Sequence, residues 1–276
     1  MQRRRFIKDL SASALLLLNG QTLLASQDAG WKRRKPILRF AIASDTHYGQ
    51  PNTGFREMLL TGVQNINAMH AVKRLNFCVV NGDIVHDDIS FLPEARRTLD
   101  TLDVKYYVTQ GNHDLATATQ WQTAWDMPVN FDVVKDDATL LFGTTSNETG
   151  KYLPPDMDWL TAKFKEHEKA RHILLFIHIP PIKWTKHAIE STAFQELVKR
   201  QKNLRAVFHG HEHDQDGIKW QDKIPYLFDS HLGGSWGTDY RGYRMVELFR
   251  DGSIKTWIMN PSQSLYLTDI PSADHT

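Results

Sequence analysis

The sequence predicts an α/β fold on three observations. From Lys35 onward, short runs of β-branched and aromatic residues alternate with longer stretches of mixed polarity, as strands alternating with helices do. The early strand candidates are apolar enough to be buried. Five apolar runs end in polar clusters, and open α/β sheets gather such clusters in a crevice at the carboxyl ends of their strands.

In chain order, strands are predicted over residues 37–44, 76–81, 105–109, 138–144, 172–177 and 205–208, and helices over 55–74, 93–103, 121–125, 155–168 and 191–202. The first helix carries Met58, Leu59, Val63, Ile66, Met69 and His70 on roughly one face, an amphipathic spacing that packs onto a sheet. Beyond Gly217 the texture changes. Residues 224–229, 243–250 and 254–259 read as antiparallel strands closing a second sheet, with Asp251-Gly252 as a two-residue hairpin turn. No internal repeat, low-complexity segment or long Pro/Gly/Ser linker divides the 276 residues, so residues 30–276 are expected to form one domain.

Hydrophobic residues at 41% and charged residues at 24% exclude wholesale disorder and a polytopic membrane protein. Formal net charge is +1. Arg3, Arg4, Arg5 and Lys8 against Asp9 and Asp28 account for a net +2, which leaves the remainder at about −1 and no reason to expect a nucleic-acid polymer as partner. Cys78 is the only cysteine, which excludes an intrachain disulfide and a thiolate cluster. Any metal must be held by His, Asp, Glu or Asn.

Residues 1–29 read as a targeting segment. A basic start is followed by an apolar run broken by Asn19, Gly20 and Gln21, too short for the ~20 apolar residues of a membrane span. With Arg3 and Arg4 as the pair and Phe6, Ile7 and Lys8 after it, the segment resembles a twin-arginine export signal; an ordinary secretion signal and an uncleaved anchor are the alternatives. The expected location is periplasmic or extracellular, with the twin-arginine machinery as a partner and no stable membrane span in the mature form.

The five strand-end clusters are Asp45-Thr46-His47, Gly82-Asp83, Gly111-Asn112-His113-Asp114, His178, and Gly210-His211-Glu212-His213. Singly each is weak, since Gly-Asp is usually a turn and a lone histidine a loop residue. Together they supply carboxylate, imidazole and amide oxygen without thiolate, a set that suits Mn, Fe, Zn or Co. Two ions about 3.5–4 Å apart need about seven protein ligands and a carboxylate able to bridge them. Gly82, Gly111 and Gly210 stand immediately before ligand candidates, where a missing Cβ lets the chain turn sharply beside a crowded site.

In this order the clusters resemble the calcineurin-like metallophosphoesterases, over most of the chain from Asp45 to His213. The resemblance implies a four-layer α-β-β-α sandwich of two mixed sheets and two divalent or mixed-valence ions. By position, Asp45, His47 and His213 would hold one ion, Asn112, His178 and His211 the other, and Asp83 would bridge them. His113 would contact the phosphate and protonate the leaving oxygen, with Asp114 available to orient its ring. The substrate implied is a small-molecule phosphate ester. A metal-tyrosine ligand of the purple acid phosphatase kind is not expected, because His86 stands at that position. The run Gly82-Asp83-Ile84-Val85-His86-Asp87-Asp88 departs from the protein-phosphatase pattern, and the compact spacing looks more like bacterial cyclic-nucleotide phosphodiesterases and exported phosphohydrolases. A phosphodiesterase is favoured over a phosphomonoesterase; a non-catalytic metal-binding module is the alternative of another class.

Several residues have two readings. His86 is either a substrate or outer-sphere contact or a solvated loop histidine. His209 reads as a strand-end residue bonded to its neighbours. Trp236, in a glycine-rich loop, either packs under that loop or stacks on an aromatic or sugar group. A phosphate cradle at Gly233-Gly234 is weak without a following helix. Trp121, Trp125 and Trp184 read equally as pocket wall or core. Asp87 and Asp88 read as a solvated pair or as a cap near Pro93. His70, His167, His172, His187 and His275 read as ordinary positions.

Overall fold

Residues two apart on a strand share a face, and here both faces of the central strands find apolar cover. A computed structural model describes residues 34–260 and the backbone of Leu17–Leu18, Gln21–Thr22 and Tyr266–Ile270. The chain divides into two units, Met1–Lys35 and Pro36–Thr276. Of the first, only the antiparallel pairing of Leu17–Leu18 with Gln21–Thr22 is described; the rest of the segment read as an export signal lies outside the described residues.

In the second unit the strands are β1 (Leu38–Ala43), β2 (Phe77–Asn81), β3 (Tyr106–Thr109), β4 (Phe131–Lys135), β5 (Ala138–Gly143), β6 (His172–Ile177), β7 (Leu204–His209), β8 (Ile218–Gln221), β9 (Ile224–Phe228), β10 (Tyr243–Leu248), β11 (Ile254–Met259) and β12 (Tyr266–Ile270). The helices are α1 (Phe55–Val72), α2 (Leu92–Leu99), α3 (Ala118–Trp125), α4 (Met157–Glu166) and α5 (Thr192–Lys199). One sheet runs β12-β11-β10-β1-β2-β3 and the other β8-β9-β7-β6-β5-β4. Strands β1, β2 and β3 are mutually parallel, as are β5, β6, β7 and β9. Both sheets are therefore mixed.

The layers follow from period 2. Phe40 and Ile42 of β1, Phe77 and Val79 of β2, Leu140 and Phe142 of β5, Leu174 and Phe176 of β6, and Phe208 of β7 meet between the sheets. The alternate residues face outward. Val80 and Val108 pack with Leu59, Val63, Leu92 and Leu99 of α1 and α2 and with Trp121 and Trp125 of α3. On the other side Leu175, Ile177 and Val207 pack with Leu160 and Phe164 of α4 and Phe194 and Val198 of α5. The result is helix, sheet, sheet, helix. A ladder of phenylalanines crosses β4, β5, β6 and β7, with Phe131–Phe142, Phe142–Phe176 and Phe176–Phe208 stacked at 4.6, 4.9 and 4.9 Å. Phe40 sets its ring edgewise to the last two from the facing sheet.

The tail corrects one expectation. Strands β10 and β11 extend the first sheet, β10 lying antiparallel to β1, whereas β9 joins the second sheet parallel to β7. The turn between β10 and β11 closes on Phe249 and Ser253 and so comprises Arg250, Asp251 and Gly252, with Gly252 at φ +86°. That is one residue longer than the sequence suggested, a loop that needs a left-handed last residue. Strands β4, β8 and β12 were not expected. Trp121 and Trp125 prove to be core, and Trp184 packs on Tyr226 and Phe228. Cys78 is fully buried, and burial pushes its thiol up to about 12.

Two polar devices tie the sheets together below the strand ends. Asn81 Nδ2 at the end of β2 donates to Phe208 O of β7 at 3.2 Å. Buried Arg244 of β10 donates to Phe228 O at 2.7 Å and to Thr256 Oγ1 at 3.0 Å, and lies 3.3 Å from Asp229. Orphaning any of these groups in a dry interior would be costly, so the sheets keep one register and their carboxyl ends stay together.

Candidate metal centre

The loops after β1, β2, β3, β6 and β7 converge at that edge. The parallel pairing of β1 and β2 continues past the strands: Asp45 N–H donates to Gly82 O and His47 N–H to Asp83 O, both at 3.0 Å, and Tyr48 N–H to Ile84 O at 2.9 Å. Asp45 is also tied to the β7 loop, accepting the His211 N–H on both oxygens at 3.1 and 3.0 Å. Close approach explains two of the glycines. A Cβ on Gly111 would lie on Asp83 Oδ1, and one on Gly210 would stand 2.6 Å from Asp45 Oδ2. Asp45, His47, Asp83 and His211 all take left-handed backbone, at φ +54°, +42°, +50° and +70°. Such backbone costs a residue with a Cβ of order 1–3 kcal/mol and collects at functional sites.

Two groups of ligand atoms result. Asp45, His47 and His213 form one and Asp83, His178 and His211 the other, with the atoms of each within 4.8 Å of one another. In the first, His213 Nε2 lies 3.1 Å from Asp45 Oδ1 and 2.9 Å from His47 Nε2. In the second, His178 Nε2 lies 3.0 Å from Asp83 Oδ2. Asp83 Oδ2 is also 3.9 Å from His47 Nε2, and Asp45 Oδ1 3.7 Å from His178 Nε2, so both carboxylates stand between the groups. Asn112 is buried on the β3 loop.

The surroundings choose the tautomers. His178 Nδ1 donates to Asn81 O at 2.7 Å and His213 Nδ1 to Trp236 O at 3.2 Å. A carbonyl only accepts, so in the neutral rings Nε2 is the lone-pair atom, and it is Nε2 that faces the cluster. His211 Nε2 and Asn112 Oδ1 are buried without a hydrogen-bond partner, which is anomalous unless something else satisfies them. Burial pushes His47 down to about 3 and His211 down to about 4, keeping both rings in the neutral form that ligates metals. Burial also pushes His178 down, but Asp83 and Asp45 overcome it and lift this ring to about 10. The carboxylates make the centre a place that favours positive charge. The orphaned His211 and Asn112 atoms, the neutral rings of His47 and His211, and buried carboxylates without thiolate fit divalent cations of the Mn, Fe, Zn and Co kind.

His113 sits at the rim. Its backbone N–H donates to Asp83 Oδ1 at 2.8 Å, and its ring Nδ1 bonds Asp87 Oδ1 at 2.8 Å. Asp87, not Asp114, therefore orients the ring. Asp114 points the other way, fully buried, and accepts the Val85 and Gly111 N–H groups at 2.9 and 2.7 Å. Burial and the neighbouring Asp83 push it up to about 7. Its work is to brace the two ligand loops. Asp87 was missed as a functional residue; the only signal was its place four residues after Asp83. Asp88 caps a 3₁₀ turn through the Ser90 N–H.

His86 is no bare loop histidine. Its Nδ1 lies 2.9 Å from His47 Nδ1 and its ring stacks on His113 at 5.0 Å. His209 is buried against Tyr226, with Nδ1 bonded to Ile177 O. Gly233 spends its N–H on Asp45 O at 2.9 Å, which leaves that donor unable to cradle phosphate. Of the histidines read as ordinary, His70 accepts the Leu75 N–H just beyond α1, His167 bonds Asp132, and His172 bonds Arg250 O and Arg205. His187 departs from that reading, since it stands beside His211. His275 lies outside the described residues.

Residues 38–215 match the model of a protein family described as calcineurin-like phosphoesterase. No curated protein matches the sequence. Among solved structures, the fold is similar to that of a dimetal phosphatase from Danio rerio, at 12% identity and a TM-score of 0.67, covering 86% of this chain and 100% of that one. It is also similar to the NAD nucleotidase of Haemophilus influenzae, at 12% identity and a TM-score of 0.50, covering 84% of this chain and 49% of that one. This chain spans about half the length of the nucleotidase. At such identities the likeness concerns the fold.

Proposed function

The chain belongs to the calcineurin-like phosphoesterase family of metal-dependent phosphoester hydrolases, and from that premise we propose an exported phosphodiesterase with a dinuclear metal centre, acting on small or nucleotide-like esters. The observation that carries the dinuclear reading is the pair of adjoining groups, each offering a carboxylate and imidazoles, with Asp83 Oδ2 3.0 Å from His178 Nε2 and 3.9 Å from His47 Nε2 and Asp45 Oδ1 3.1 Å from His213 Nε2 and 3.7 Å from His178 Nε2; the family resemblance gives the bridging role to Asp83. Asp45, His47 and His213 would hold one ion, Asn112, His178 and His211 the other, with Asp83 shared. Bound there, the pair would supply Lewis acidity and a nucleophile at neutral pH, so no serine or cysteine is required. His113, held at Nδ1 by Asp87, keeps Nε2 for the phosphoryl or leaving oxygen, where it stabilises or protonates the departing alkoxide.

The lean toward diesters rests on the resemblance of the Gly-Asn-His-Asp cluster and on the departure from the protein-phosphatase pattern. Specificity belongs to the loops after the ligand clusters, because a metal core treats phosphoryl groups much alike. A side-by-side comparison on a bis-aryl phosphate, an aryl monophosphate, a cyclic nucleotide and a nucleoside monophosphate, with Mn²⁺-loaded protein, tests this reading. Diesters are expected to have the higher specificity constants. A tenfold preference for monoesters, worth about 1.4 kcal/mol of transition-state binding, would replace the diesterase with a phosphomonoesterase.

Export is proposed from Arg3 and Arg4 and the apolar run behind them. No helix of the described residues is long and apolar enough to cross a membrane. Replacing both arginines by lysine is expected to leave the protein in the cytoplasm, as read by fractionation. Unchanged delivery of that variant through the general secretion route would mean an ordinary signal peptide.

A further inference from the structure

The indole of Trp236 lies flat on His213, with ring centroids 4.4 Å apart and planes within 7° of parallel, yet it is 44% exposed. His231 stacks on His213 as well, at 4.9 Å, so His213 is held between two rings. One face of the indole is used in this way, the ring of His47 stands tilted to the indole at 4.8 Å, and nearly half of the residue is left to solvent. The loop beneath it is tied down. Gly233 N–H donates to Asp45 O at 2.9 Å, Thr238 N–H to His213 O at 3.0 Å, Gln50 Nε2 to Ser235 Oγ at 3.2 Å and Arg241 to Gly234 O at 3.0 Å. An isolated exposed aromatic is ordinary, and Trp220 on strand β8 is one. Trp236 differs in its neighbours, with its centroid 6.5 Å from the ring of His113 and 6.1 Å from that of His86.

An indole held by a bonded loop and left partly exposed at the rim of a phosphoester site has a specific use. Every nucleobase and aryl group presents a π face, and stacking on an aromatic side chain rewards planarity without reading base identity. We infer that Trp236 is the stacking platform for a flat aromatic group, a nucleoside base or an aryl ring, carried close to the phosphate of the ligand. The inference rests on the phosphoester-hydrolase reading of the site and adds to it the class of group recognised beside the phosphate.

Adenosine 5′-monophosphate and ribose 5-phosphate share the phosphate and the sugar and differ by the base. Calorimetric binding of each to Mn²⁺-loaded protein isolates the platform and needs no turnover, so it stands apart from any failure to hydrolyse esters. The unaltered protein is expected to favour the nucleotide by about 5- to 150-fold, the usual worth of one stacked base. In Trp236→Leu this preference should fall below about twofold, with ribose 5-phosphate bound as before and metal content unchanged. Because the indole also packs on His213, Trp236→Phe is measured alongside; it keeps a smaller ring there and should retain an intermediate preference. No preference in the unaltered protein overturns the inference. So does an undiminished preference in Trp236→Leu with its metal retained or, if that variant loses metal, in Trp236→Phe.

Discussion

Asp83→Asn is expected to lose both metal ions and to cut turnover by more than the roughly 10²–10⁴-fold that a single acid–base group supplies. Asparagine keeps an oxygen at Oδ1 to accept the His113 N–H, so the loop contact at 2.8 Å survives and the change is mainly one of charge. Loss of that charge is felt on both sides, because Asp83 Oδ2 is near His178 of one group and His47 of the other. Asp45→Asn supplies the contrast. Asp45 Oδ1 lies 3.1 Å from His213 and 3.7 Å from His178, so the distances alone do not set it apart from Asp83; the family resemblance gives it to one ion, and on that assignment its replacement should chiefly weaken one ion. Elemental analysis of the two purified variants, with rates on an aryl phosphodiester, separates them. Full double occupancy in Asp83→Asn would contradict the bridging role.

His113→Ala is expected to keep its metal and to lose turnover by roughly 10²–10⁴-fold, the usual size of a general acid–base contribution. The loss should shrink as the leaving group improves, since a good leaving group needs no proton. Asp87→Asn should follow the same trend with a smaller loss, on the order of 10–100-fold, as an outer partner that fixes ring orientation. Asp114→Asn should not depend on the leaving group at all, because this side chain touches the Val85 and Gly111 backbone and not the His113 ring. Rates across a series of aryl esters of graded acidity decide the matter. Equal losses for good and poor leaving groups would remove His113 from the acid role.

How much of this was legible in the sequence depended on how local the cause was. Strands such as β1, β2, β5, β6 and β7 are buried on both faces, so their residues read as unbroken apolar runs. The edge strands β4 and β8, Phe-Asp-Val-Val-Lys and Ile-Lys-Trp-Gln, are only partly buried and carry mixed polarity, which hid them. The tail was divided between the sheets by pairings such as Val246 with Phe40 and Leu227 with Phe208, which no periodicity encodes. The ligand candidates were visible because each follows directly on a strand end. Asp87 was hidden because its partner His113 is remote in sequence, and Asp114 was misread because adjacency was taken for contact. In the turn after β3 consecutive side chains diverge, His113 outward to Asp87 and Asp114 inward to the backbone.

The central claim is that hydrolysis depends on cations held by the two histidine–carboxylate groups. Its most direct test is a titration of chelator-stripped protein with Mn²⁺, following hydrolysis of an aryl phosphodiester against equivalents of bound metal. The stripped protein should be inactive, and activity should return with metal and level off near two ions per chain. Hydrolysis that survives complete removal of metal, or that ignores its return, would contradict the account.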